Sequence, residues 1–83
     1  MTEKLGFTER QYQILNHVQD NGETLSKEVA KKLDIDIHNA SMRLKDYYEN
    51  GWLSRERGAY GRFKYTITEQ GENRIDWLEE NRF

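Results

Sequence analysis

Apolar residues recur at helical spacing over three stretches, alternate over two short ones, and then return to helical spacing. Ile14, Leu15 and Val18 stripe a first helix. Thr8 with Gln11 three residues on fits a capping box at its start, and Phe7 with Tyr12 fits a hydrophobic staple. Asn21-Gly22 ends it, because glycine takes the left-handed conformation that closes helices. A short second helix follows, capped by Thr24 or Ser26, with Val29, Ala30 and Leu33 inward. After Asp34-Ile35, Asp36 is an N-cap for a third helix running to about Asn50, with Ala40, Leu44 and Tyr47 inward and Ile37 and Tyr48 at the edge. Gly51 stops it.

The period then drops to two. Leu53, Arg55 and Arg57 alternate with Ser54 and Glu56, and Phe63, Tyr65 and Ile67 alternate with Arg62, Lys64 and Thr66. Gly58-Ala59-Tyr60-Gly61 between them is a hairpin turn. A last helix opens at Thr68, with Ile75 and Leu78 inward. Gly71 near its start is the residue that a helix pressed on a neighbouring backbone needs.

Composition narrows the picture. Eighty-three residues make one domain, 1–83 with its core at about 8–80. Hydrophobic residues are 35% and charged residues 34%, a balance that leans towards disorder; ten aromatics supply enough buried area to oppose it. With no cysteine there is no disulfide scaffold, thiolate metal site or cysteine nucleophile. No apolar run is long enough for a bilayer and no signal peptide opens the chain, so a soluble cytoplasmic protein is expected. Net charge is −2, but it is unevenly spread. Residues 27–68 hold nine cations against six anions, whereas 69–83 hold two against five. The local field, not the total, decides where a polyanion docks.

The order helix, helix, tight turn, helix, hairpin, helix resembles a winged helix-turn-helix domain. Leu33-Asp34-Ile35-Asp36 looks like the family's Leu-Gly-Ile-Ser turn. Asn50-Gly51-Trp52-Leu53 looks like its exit into the first wing strand, and Tyr65-Thr66-Ile67-Thr68-Glu69-Gln70-Gly71 is similar to its second strand and Leu-Thr-x-x-Gly helix entry. The nearest likeness is to small MarR- or ArsR-type prokaryotic regulators, and Asp46–Gly51 has the look of archaeal members. The implied fold is α+β, mostly helical: a three-helix core, a two-stranded β-hairpin wing and a C-terminal helix. Asp34 departs from the turn glycine, but aspartate tolerates positive φ better than most residues.

The resemblance implies sequence-specific binding of double-stranded DNA by a nucleoid-associated transcriptional regulator. The recognition helix, 37–50, would enter the major groove, and the wing, 53–67, would meet the backbone or minor groove. Opposite the inward stripe lie His38, Asn39, Met42, Lys45 and Asp46, with Ser41 and Arg43 beside them. Asparagine reads adenine, methionine packs on a thymine methyl, and arginine takes guanine or a phosphate. Wing residues 52–65 carry Arg55, Arg57, Arg62 and Lys64 against Glu56, with Tyr60 at the tip. Lys27, with Lys31 and Lys32, would meet the backbone beside the groove. Two alternatives stay open: a protein-interaction scaffold using Met42 and Tyr48, and a non-specific nucleic-acid binder using only the basic hairpin. Trp77 falls off the inward face of the last helix, so a homodimer through that helix is expected, with Tyr12 and Leu78 as further interface residues. His17 and His38 share no ligand spacing, and no phosphate loop or nucleophile elbow is present; no metal, cofactor or enzymatic activity is expected.

Overall fold

The apolar stripes converge because each is too narrow to be buried except against the others. The computed structural model describes residues 7–81, with side chains from residue 9 onward. Helix α1 spans Phe7–Asn21, α2 Ser26–Leu33, α3 Ile37–Glu49 and α4 Glu69–Glu80; strands β1, Leu53–Arg57, and β2, Phe63–Ile67, lie between α3 and α4. Ile14, Leu15 and Val18 meet Val29 and Ala30 of α2, Ala40, Leu44 and Tyr47 of α3, and Ile75 and Leu78 of α4 in one buried cluster. Leu53 and Tyr65 carry that cluster into the hairpin, whose antiparallel register pairs Leu53 with Ile67, Arg55 with Tyr65 and Arg57 with Phe63. The predicted winged helix-turn-helix is the architecture observed.

Thr8 lies inside α1, which is already under way at Phe7; the side chains of Phe7 and Thr8, and with them the expected Thr8 cap and Phe7–Tyr12 staple, lie outside the described residues. Gln11 turns to α4 instead: its Oε1 accepts from Arg74 Nε and Nη2 at 3.1 and 2.9 Å. Neither Thr24 nor Ser26 caps α2. Leu25 holds the cap position without a side-chain bond, and the Glu28 carboxylate accepts from the Leu25 N–H at 3.1 Å. Thr24 is buried and exchanges both backbone hydrogen bonds with Tyr65, each 2.9 Å. The α1–α2 connection thus adds a one-residue third strand to β2.

The other punctuation follows the sequence. Asp34 has φ 56 and ψ 51, the left-handed conformation its position requires. Asp36 caps α3, its Oδ2 accepting from the amides of His38 and Asn39 at 2.9 and 3.4 Å. Gly51, at φ 84, turns the chain from α3 into the wing.

The wing is held at its base by a close backbone contact. The Thr68 hydroxyl donates to the Gly51 carbonyl at 2.7 Å and accepts from the Gly71 N–H at 3.0 Å. The Thr68 N–H donates to the Trp52 carbonyl at 3.1 Å. A Cβ at Gly71 would strike the Trp52 carbonyl oxygen and the Ile67 side chain. Gly71→Ala should therefore destabilise the fold by about 1–3 kcal/mol, since backbone has no rotamer with which to yield. Urea unfolding checks it; a midpoint equal to wild type would refute the close approach.

Candidate nucleic-acid interface

Helix α3 is fixed from beneath by Ala40, Leu44 and Tyr47, all sealed from water. That leaves the opposite face to solvent, where His38, Asn39, Met42, Lys45 and Asp46 are exposed. Met42 keeps 53% of its surface in water, and Ile37 on the same helix does likewise. Ser41 and Arg43 are half-buried on its flanks. Arg43 lies near the Tyr47 phenol, where its charge partly opposes the rise in the tyrosine's pKa caused by burial.

The wing cations divide into two kinds. Arg57, Arg62 and Lys64 are exposed. Lys64 lies 3.8 Å from Glu23 in an open ion pair, which salt screens readily. Arg55 is half-buried: its guanidinium lies 4.2 Å from the Tyr48 ring centre and 4.1 Å from that of Phe63. Interaction with the Tyr65 hydroxyl holds its pKa above the usual arginine range. At the tip, Tyr60 is 95% exposed and takes φ 60, an uncommon left-handed state for a ring-bearing residue.

Helix and wing border one concavity. A groove of about 320 Å³ runs between them, lined by Leu25, Lys27, Ile37, Ser41, Arg62 and Phe63 among others. It brings Lys27 of α2, Ser41 of α3 and Arg62 of the wing to one side of the molecule. Leu25 and Ile37 in its wall were not among the site residues foreseen; the exposed apolar Ile37 at the edge of the α3 stripe was the available signal. The acidic α4 packs on α1 and contributes no residue to the lining of this groove.

The expected dimer residues separate. Trp77 is 46% exposed, with the Arg74 guanidinium 4.5 Å from its ring centre. Tyr12 donates to Glu79 Oε2 at 2.9 Å. Leu78 is fully buried in the core of its own chain, so it offers no surface to a partner and the interface role expected of it is corrected. His17 Nε2 lies 3.2 Å from the Thr24 hydroxyl, a local link between α1 and the loop. Among the described residues no group of three or more acidic, histidine or cysteine side chains gathers as a metal site, and no helix is long and apolar enough to cross a membrane.

No protein-family model matches the sequence, and no curated protein matches it. Solved structures do match the fold. A crystal structure of the transcriptional regulator SlyA superposes with a TM-score of 0.73 at 23% identity, covering 86% of this chain and 51% of that one. A mutant MarR from E. coli, complexed with operator DNA, gives 0.75 at 16% identity, covering 86% and 52%. Disulfide-formed AbfR gives 0.74 at 23%, covering 90% and 53%. At these identities the likeness is one of fold, and the chain spans about half the length of each.

The Tyr47 environment that seats α3 has a pH signature. Its pKa is raised in the folded state, so folded and unfolded chains hold the phenol proton equally below the usual tyrosine value of about 10. Above that, the unfolded chain releases it first, and stability falls as pH rises. Denaturant midpoints between pH 8 and 11 should decline, and Tyr47→Phe should make the decline shallower; an identical slope in the variant would contradict this.

Proposed function

We propose that this domain binds double-stranded DNA sequence-specifically and serves as a transcriptional regulator, working on the nucleoid in the cytoplasm. The observation that carries the reading is the groove shared by α3 and the wing, with Lys27, Ser41 and Arg62 on its walls. The major groove is about 12 Å wide and admits one helix. With α3 seated there, His38, Asn39, Met42 and Lys45 meet base edges, and Ser41 and Arg43 reach the flanking strand. Lys27, Arg57, Arg62 and Lys64 lie against phosphates, and Tyr60 leads the wing tip into the minor groove. The fold shared with a regulator solved on its operator supports this placement. The chain acts as a homodimer through α4 and α1, with Trp77 and Tyr12 at the contact, so two copies read a pseudo-palindrome.

Exposed Ile37, Met42 and Tyr48 on the same helix favour the competing reading, a protein-binding surface. Salt dependence separates the two. Log affinity for duplex should fall linearly with log salt, by about 0.9 per phosphate neutralised. Arg62→Ala should weaken binding to every sequence and reduce that slope by about one phosphate's share. Asn39→Ala should weaken only the site selected from a random duplex pool, by about 1–3 kcal/mol. Equal losses on selected and random duplex would leave a non-specific binder, and absence of salt-dependent binding would leave the protein-binding surface.

Sedimentation at micromolar concentration tests the assembly. A mass of two chains that falls to one in Trp77→Ala is expected; a wild-type monomer would remove the dimer.

A further inference from the structure

A two-stranded hairpin is marginal on its own, so something must fix the angle of the wing. Its base is fixed by the Thr68–Gly51 junction, and one edge by the Thr24–Tyr65 bridge. The tip lies beyond both. The register places Arg55, Arg57, Phe63 and Tyr65 on one face of the ribbon. There they build a stack that runs from the helix outward: the Tyr48 ring, the Arg55 guanidinium, the Phe63 ring, and then Arg57 at 5.2 Å from that ring's centre. Arg55 is the only member whose cation is covered by rings from two different elements, α3 and β2. Its guanidinium lies close to both ring centres, and Tyr65 engages it further.

We propose that Arg55 is a positioning residue that sets the wing against the recognition helix, and that it does not itself bind phosphate. The inference rests on the DNA-binding reading for its consequence and on the ring stack for its cause. A planar guanidinium is required: it stacks on both rings at once, whereas an ammonium is a compact, strongly hydrated charge on a flexible stem. A wing that swings in the free protein must be ordered again on binding before Arg62 and Tyr60 meet the duplex beside α3, so affinity falls although the bound state keeps every phosphate contact.

The test uses the full chain with Arg55→Lys, Arg55→Met, Tyr48→Leu and the Arg55→Lys/Tyr48→Leu double variant, read on the selected duplex across salt. Arg55→Lys should lose about three- to tenfold in affinity, the scale of one partly exposed cation–π contact. Its salt slope should equal that of wild type, since no phosphate contact is lost. Tyr48→Leu should lose a similar factor, and the double variant little more than either. Amide exchange in 57–63 should quicken in Arg55→Lys while the amides of α1 and α4 stay protected, which shows a loosened wing on an intact body. Wild-type affinity for Arg55→Lys, with a slope lowered by about 0.9 in Arg55→Met, would make Arg55 a phosphate contact and overturn the proposal. Additive losses in the double variant would overturn it too. If wild-type protein binds no duplex, the DNA reading fails; unchanged exchange at 57–63 in Arg55→Lys would then be the separate result that defeats the positioning role.

Discussion

The candidate surface formed by α3 and the wing depends on how closely the first turn of α4 approaches the backbone that leaves α3. Thr68 ties both: one hydroxyl donates to the Gly51 carbonyl and accepts from the Gly71 amide. The approach is possible only because Gly71 has no side chain to meet the Trp52 carbonyl. A hairpin leaving α3 at any other angle would not lie beside that helix. The placement of the candidate surface is therefore decided at a part-buried backbone joint.

The same joint separates charge. The chain is slightly acidic overall, and α4, which packs on α1, carries five carboxylates against one cation, while α2 and the wing each carry more cations than anions. A polyanion meets the local field of that cationic side, and net charge matters mainly for solubility and long-range approach. Arg74 shows how a cation on the acidic side is used differently. It bonds to buried Gln11 and lies 4.9 and 4.5 Å from the Trp52 and Trp77 ring centres, linking α1, the wing exit and α4. Cation–aromatic packing recurs at Arg55, so two of the chain's arginines act within the fold.

Periodicity made the elements legible. The stripes Ile14-Leu15-Val18, Val29-Ala30, Ala40-Leu44-Tyr47 and Ile75-Leu78 are buried, Leu33 of the second stripe packs partly buried against them, and the alternating runs became the paired strands. Local chemistry also read correctly where one residue acts on its own neighbours, as with Asp36 at its cap, Asp34 in the left-handed turn and Gly71 at the close approach. It misread positions whose side chains bond across the fold. Gln11 reads locally as half of a capping box but bonds to Arg74, sixty-three positions away. Thr24 reads as a cap but pairs with Tyr65.

The candidate surface divides along the same line. Sequence spacing by itself determined which face of α3 is turned from the core, because a helix has a fixed period and burial claims one side. It also placed Arg55 and Arg57 on the ribbon face of Leu53, because strand side chains alternate. What only the tertiary structure decided is which cations remain open to a ligand. Arg55 and Arg62 are equivalent as letters, yet one lies between the rings of Tyr48 and Phe63 and the other stands on the wall of a groove. That difference arises from the angle at which the wing meets the helix, a long-range packing quantity that no local pattern encodes.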